Sequence, residues 1–391
     1  MIQRSISSQW KALRLKNVVT IYNGKDYKDY EAEEGIPVIG SGGQFAYSSK
    51  CMYDGEVIFL GRKGTIDKPL YYNGPFWSVD TMFYAIPNRN ALGKYIYYCA
   101  ILFPFKKHST ATALPSMTQT SLYQIPFPVP PINEQQRIVD YLDEKLAKID
   151  ERIEVLEKQQ DAYARLKKSV IHQAVTRGLD PDVRLKDSGI EWIGKIPEHW
   201  ELKRFKSIFS ECKSVTETGQ EDLLSVSEYY GIARRIDKMD DGEYESRADS
   251  LIGYKICKKD DLVINIMLAW KRGLGFSDFD GIVSPAYAVY RGENIVPHYF
   301  HYLMRTDMYV AEYKRNSKGI IDSRLRMYTD RFNNIIAIVP PHSEQKAIAN
   351  YLDEKCAKID AAIENIGKQI DASKRLKRAL INEVIPGQRA V

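Results

Sequence analysis

The residues in this chain whose types and spacing suit chemistry are cations set beside glycines. Arg62-Lys63-Gly64 follows the apolar run Val57-Ile58-Phe59-Leu60, and Trp270-Lys271-Arg272-Gly273 stands close after Leu262-Val263-Ile264. A guanidinium forks onto phosphate or onto the edge of guanine, an ammonium is a point charge for phosphate, and glycine lets the backbone approach closely. Further basic groups are Lys106-Lys107, Arg234-Arg235 behind Tyr229-Tyr230, and Lys318 with Arg324 and Arg326. Any one of these alone reads as a solvated loop. Several of them in each of two separate regions point to nucleic acid. The candidate contacts are Arg62, Lys63, Lys106, Lys107, Arg234, Arg235, Trp270, Lys271, Arg272, Lys318, Arg324 and Arg326.

Groupings that would do covalent chemistry are missing from the sequence. There is no G-x-x-x-x-G-K-[ST] for phosphates and no G-x-G-x-x-G after a strand. The Pro-Pro pairs read Val-Pro-Pro-Ile and Val-Pro-Pro-His, unlike the Asn- or Asp-Pro-Pro-aromatic of amino-methyltransferases. His298 and His301 follow Pro297 and read as a helix start, because no third ligand stands at a useful spacing. Asp143-Glu144-Lys145 has the look of a nuclease motif, but it falls inside a helical pattern and is copied at Asp353-Glu354-Lys355. The five cysteines (Cys51, Cys99, Cys212, Cys257, Cys356) form no CxxC pair and read as reduced thiols. The expectation is a reader or scaffold without a catalytic residue, metal or cofactor of its own.

The balance of the chain fits that expectation. Of 391 residues 44% are hydrophobic and 27% charged, with a net charge of +5. No apolar run approaches 18 residues and the first residues lack the apolar core of a signal peptide, so a cytoplasmic protein with no membrane contact is expected.

The elements that must position the basic loops come in duplicate. VPPINEQQRIVDYLDEKLAKID starts at Val129 and VPPHSEQKAIANYLDEKCAKID at Val339, an offset of 210 (339 − 129). Extended to Ile171 and Ile381, 25 of 43 positions are identical without a gap. A fainter echo precedes each copy: Trp10 opens WKALRLK and Trp200 opens WELKRFK, at an offset of 190 (200 − 10). Each half thus reads Trp segment, variable domain, Pro-Pro, long helix.

From Asn133 to about Thr176 the chain holds no Pro or Gly and is rich in Glu, Lys, Gln, Ala and Leu, which predicts one long helix. Asn133 with Gln136 has the capping-box pattern, and Gly178 suits the stop. Apolar residues recur at heptad spacing, giving a seam of Leu142, Ile149, Leu156 and Tyr163, echoed by Leu352, Ile359, Ile366 and Leu380. The two helices are expected to pair as an antiparallel coiled coil, although each could instead pack on its own domain. Lys167 and Lys168 read as solvated positions outside the seam, or as part of a docking surface. The variable domains share a faint pattern of strand, basic Gly loop, strand, turn and strand. Val57-Ile58 align with Val263-Ile264 and Ser78 with Ser284, and the turns fall at Asn73-Gly74 and Asp280-Gly281. The fold class is therefore α+β: two α/β-type domains separated by two long helices, with pseudo-two-fold symmetry. The boundaries are residues 1–132, 133–178, 179–339 and 340–391.

The EQ-bearing helices, PPINEQQRIVDYLD and PPHSEQKAIANYLD, and the link SGIEWIGKIPEHW resemble specificity subunits of Type I restriction-modification systems. The resemblance covers essentially the whole chain, except that the first domain keeps only SQWKALRLK of the opening segment. It implies a non-catalytic subunit whose two target-recognition domains each read one half of a bipartite site in double-stranded DNA. The helices would set the gap and bind two methyltransferase (modification) subunits, and restriction (translocase/nuclease) subunits would complete the assembly. S-adenosylmethionine, ATP and Mg would belong to those partners, none to this chain. Two rivals remain at this point: a combined nuclease-methyltransferase, disfavoured by the missing motifs, and a coiled-coil scaffold with two protein-binding domains.

Overall fold

A computed structural model describes residues 10–109, 114–238 and 250–387. The chain divides into two compact units, and the division falls within both long helices: residues 1–158 with 366–391, and residues 159–365.

The first unit contains β1 (Lys11–Arg14), β2 (Val19–Asn23), β3 (Glu31–Ala32), β4 (Ile36–Gly40), β5 (Gly43–Ser48), β6 (Tyr53–Gly61), β7 (Leu70–Ser78) and β8 (Met82–Pro87). Then come α1 (Gly93–Leu102), α2 (Gln119–Tyr123), β9 (Pro126–Val129) and the start of α3 (Ile132–Arg177). Seven strands form one sheet in the order β2-β8-β6-β7-β4-β5-β3, and β1 pairs with β9 outside it. Only the β4–β7 pair in that sheet is parallel. Side chains alternate across a strand. Ile58 and Leu60 therefore pack in the core that holds α1, while Val57 and Phe59 join Phe76, Met82 and Tyr84 on the other side. A strand buried on both faces is apolar throughout, which is why Val57-Ile58-Phe59-Leu60 shows no polar alternation.

The second unit contains β10 (Leu185–Asp187), β11 (Lys195–Pro197), β12 (Glu201–Arg204), β13 (Phe209–Cys212), β14 (Leu224–Ser227), β15 (Gly231–Arg234) and β16 (Lys255–Cys257). It continues with β17 (Leu262–Asn265), β18 (Leu274–Phe276), β19 (Gly281–Val283), β20 (Tyr287–Gly292), α4 (Pro297–Met304), α5 (Asp307–Asn316), α6 (Thr329–Phe332), β21 (Ile336–Val339) and the start of α7 (His342–Val384). Its central sheet runs β13-β20-β17-β18, and β12 pairs with β21 as β1 does with β9.

Strand register refines the alignment of the two domains. Ile21, Ala85 and Ile58 lie in one row of the first sheet, and Glu211, Tyr290 and Leu262 in the matching row of the second. Ile58 thus corresponds to Leu262, two residues from the motif alignment. Asn73-Gly74 is not a turn: both residues lie inside β7, and Gly74 pairs with Gly55 of β6. Pro75 continues the strand, and the reversal comes at residues 79–81. In the second unit residues 258–261 and 277–280 interrupt the equivalent ladder, which is split into β17–β18 and β16–β19.

The start of α3 also differs from the capping-box reading. The helix begins at Ile132, Pro131 O accepts from the N–H groups of Glu134 and Gln135, and Gln136 bonds to Asp140. The residue that seats the helix is buried Gln135. Its amide accepts from Leu92 N (2.9 Å) and donates to Pro130 O (2.9 Å) and Asn90 O (3.0 Å). Gln345, its repeat, accepts from Val296 N (3.0 Å) and donates to Pro340 O (2.9 Å). Gly178 does end α3, with φ at +78°.

Within each unit the segments of α3 and α7 run antiparallel. Asp150 pairs with Lys377 in the first unit and Lys167 with Asp360 in the second, each at 2.6 Å. The offset of 210 carries one pair onto the other, so Lys167 belongs to the helix pairing. The seam residues divide by role. Leu142 and Leu380 lie in the first domain's core with Ile149 partly buried against it, and Leu352 lies in the second domain's core. Leu156 meets Ile366 between the helices, Ile359 is buried, and Tyr163 stays 38% exposed. One stripe thus serves as domain core at its ends and as helix seam between them.

Candidate nucleic-acid interface

The first basic loop hangs between β6 and β7. Arg62 N donates to Thr81 O (2.9 Å), Arg62 O accepts from Met117 N (2.9 Å), and Gly64 N donates to Pro115 O (2.8 Å). Gly64 takes φ +79°, a conformation that favours glycine. The Arg62 guanidinium donates to the carbonyl of Asp80 at 3.2 Å and lies over the Phe83 ring, so its charge meets a neutral acceptor there. Lys63 is exposed. Lys106 and Lys107 follow on a short helical turn after α1, and Lys106 pairs with Asp67 at 3.0 Å. The Lys106 hydrogen bond holds the Asp67 carboxyl below its usual range. Asp67 ties Lys106 to the end of the Arg62 loop, so the sequence-named cations of this unit gather at one place.

The sequence reading missed what faces them. Lys374, Lys377 and Arg378 of α7 line a cleft of about 470 Å³ with Lys106 and Lys107 over an apolar floor that includes Ile101, Phe103 and Ile381. Lys377 was findable as the repeat of Lys167.

In the second unit Trp270 and Lys271 sit on a one-turn helix after β17. The Trp270 indole donates to Met267 O (3.0 Å), and the Lys271 and Lys314 ammonium groups stand 5.0 and 5.4 Å from its ring. Lys314 bridges to Asp322 (3.1 Å), which joins this stack to the loop carrying Lys318, Arg324 and Arg326. Arg272 is used differently: in a left-handed conformation (φ +63°) it donates to Arg305 O at 3.0 Å and pairs with Asp307. That engagement makes it an anchor for the α4–α5 junction. Arg234 pairs with Asp222 (3.3 Å) and stacks on Phe279 at the end of the β14–β15 hairpin, with Arg235 next to it.

Both domains fix the long helix in the same way. Asp143 accepts from Lys94 and Tyr98 of α1, and Asp353 accepts from Tyr302 (2.8 Å) and meets His298 (3.1 Å) of α4. Tyr95 donates to Pro128 O (2.9 Å), and Tyr299 to Ile338 O (3.2 Å). The copied acid of the Asp-Glu-Lys triplet thus anchors the helix to its domain. Its sequence signal was KYIYY against HYFHY.

Burial, then the charges of Arg305 and His298, push His301 down to about 4, with Asp353 opposing. A folded value below the ordinary 6.5 means that the unfolded chain takes the proton first. The second unit is therefore expected to lose stability as pH falls from about 6.5 through 4, as read from urea midpoints. His301→Gln should shrink that decline; an unchanged decline would assign it to other groups.

Among the described residues no group of three or more His, Cys, Asp or Glu could hold a metal, and no helix is long and apolar enough to cross a membrane.

Comparison with known proteins agrees with this geometry. The family model described as Type I restriction modification DNA specificity domain matches residues 7–159. The Type I restriction enzyme EcoBI specificity subunit of Escherichia coli is 20% identical over 424 aligned positions, covering 98% of this chain and 87% of that one. The Type I restriction enzyme MjaVIII specificity subunit of Methanocaldococcus jannaschii is 23% identical over 355 positions, covering 85% and 76%. Two solved structures share the fold at 15% identity. One, from work on complex assembly and conformational transition of the type I R-M system, has a TM-score of 0.71 over 98% of this chain and 99% of its own. The other, the HsdS subunit from Thermoanaerobacter tengcongensis, has a TM-score of 0.51 over 98% of each. Residues 7–159 thus match a DNA specificity domain, and over most of its length this chain is similar to specificity subunits of Type I restriction-modification systems, with an α+β fold shared by the solved structures.

Proposed function

We propose that each recognition domain reads one half of a bipartite target in double-stranded DNA, and that the paired helices set the gap and hold two methyltransferase subunits. Specificity subunits are the non-catalytic components of restriction-modification complexes. They bind DNA and assemble with the other subunits, and this chain has a DNA-recognition domain. The finer reading rests on one observation above all. The helix anchors are duplicated residue for residue (Gln135 and Gln345, Asp143 and Asp353, Asp150–Lys377 and Lys167–Asp360), whereas the basic loops differ between the domains. Equal helices suit two copies of one partner, and unequal loops suit two different half-sites.

On this reading restriction subunits join the same assembly in the cytoplasm, and S-adenosylmethionine, ATP and Mg are held by the partners. The test is to map methylated adenines in cells carrying this chain with its methyltransferase, then to measure binding of the purified complex to the mapped duplex. One split target and affinity that falls steeply with salt support the reading. Salt-insensitive or absent DNA affinity would favour the scaffold.

Arg62→Ala should relax reading at one half-site only, by roughly 1–3 kcal/mol for a bidentate base contact. Binding to duplexes altered in one half or the other checks this. A uniform loss over all sequences would make Arg62 a phosphate contact, and no loss would remove it from the interface.

A further inference from the structure

The loop of residues 317–326 has a braced neck and an apolar tip. Lys318 N donates to Arg326 O (3.0 Å) and Arg326 N to Lys318 O (2.9 Å). Leu325, just inside the neck, and Met327, just beyond it, are buried, and Met327 N donates to Ile266 O (2.8 Å). Ser317 donates to Tyr313 O (2.8 Å), and Lys314 bridges to Asp322 (3.1 Å). A Cβ on Gly319 would stand 2.6 Å from Arg324 O, so glycine is required where the loop closes. At the tip of this frame Ile320 is 101% exposed and Ile321 53%.

Single exposed apolar side chains are ordinary. Two adjacent ones, held out by a loop whose backbone is braced on both sides, need a partner to justify them. The surroundings say which kind. The loop carries Lys318, Arg324 and Arg326 against one carboxylate, Asp322, which Lys314 already neutralises. The Trp270–Lys271–Lys314 stack adjoins it. An apolar point ringed by cations matches a duplex, which offers phosphates outside and apolar base faces between its steps.

We propose that this tip is a wedge: Ile320, backed by Ile321, enters a groove and partly unstacks one base step, while Lys318 and Arg324 hold the flanking phosphates. This rests on the DNA-reading proposal above and goes beyond it, because the wedge reads deformability, not base edges. Apolar wedges of this kind bend the duplex, and pyrimidine–purine steps yield most easily. The half-site read by the second domain should therefore contain or adjoin such a step.

The test uses the full chain with its methyltransferase subunits and a duplex carrying the mapped target, with donor and acceptor dyes at its ends. Parent complex should bring the dyes closer. The double variant Ile320→Ser, Ile321→Ser changes only exposed side chains. It should leave the dyes apart, lower affinity about tenfold, and keep the parent's salt dependence. Removing one base at the mapped step should tighten the parent complex and leave the double variant unchanged. Unaltered bending and affinity in the double variant would overturn the wedge and leave DNA reading intact. Loss of methyltransferase subunits from the variant, with DNA affinity of the chain kept, would make the tip a protein-docking point and also overturn the wedge. A parent complex that binds no duplex at any salt would overturn the DNA reading itself and the wedge with it.

Discussion

Seven residues inserted after Lys158 and seven after Asn365 should lengthen the gap of the recognised target by about three base pairs and leave both half-sites unchanged. The positions follow the division of the chain into its two compact units. Just inside the second unit the helices are paired, where Gln160 reaches the carbonyl of Ile363. Inserting there spares the Asp150–Lys377 pair and the Leu156–Ile366–Ile370 cluster in one unit, and the Lys167–Asp360 pair in the other. A heptad keeps the apolar stripe in phase. At 1.5 Å per residue it adds about 10 Å, which is roughly three steps of 3.4 Å along DNA. Methylation of the parent target should vanish, and mapping should show the same two half-sites at the longer gap. Turnover there should be weaker, because three added steps also rotate one half-site about the duplex axis. A change in the half-site sequences, or methylation that keeps the old gap, would sink the idea that the helices measure distance.

The helices were legible because a long helix shows its constraints locally. It is free of Pro and Gly in its first copy, it carries one stripe, and its repeat needs no gap. What the stripe touches was not legible. Leu142 and Leu352 have the heptad spacing of Leu156 and Ile366, yet they end in domain cores, because burial by a sheet domain and burial by a helix impose the same periodicity. The sheets were harder still. Their register depends on partners far along the chain, which is why Ile58 matches Leu262 and why Asn73-Gly74, a favoured turn pair, lies inside a strand. Among the cations, composition could not separate Lys63, exposed on its loop, from Arg272, committed to Asp307 and the carbonyl of Arg305. Ile320 gave no sequence signal at all, since an isoleucine ordinarily reads as core.

Trp200→Ala should be the most damaging single change in the second unit, at about 3–5 kcal/mol, the range for truncating a large buried aromatic. Trp200 is fully buried. Its indole donates to Glu344 at 2.9 Å, and the same carboxylate meets His199 at 2.6 Å in the first turn of α7. Its ring also lies against Gly178, where an added Cβ would come within 3.3 Å. One side chain therefore joins the end of α3 to the beginning of α7. Removing it leaves a cavity and takes from Glu344 its indole donor. Trp200→Phe should cost less, since it keeps most of the packing and loses the indole donor and part of the ring volume. Urea unfolding with hydrogen exchange resolved along the chain would check both variants, with the loss confined to residues 159–365. The duplication offers an internal control. Trp10 opens the first domain at the equivalent position but is only partly buried, so Trp10→Ala should cost distinctly less. Equal losses at the two positions would mean that the repeat, and not the burial seen here, sets the energetics. A loss below about 1 kcal/mol at Trp200 would mean that the α3–α7 junction is held by other contacts.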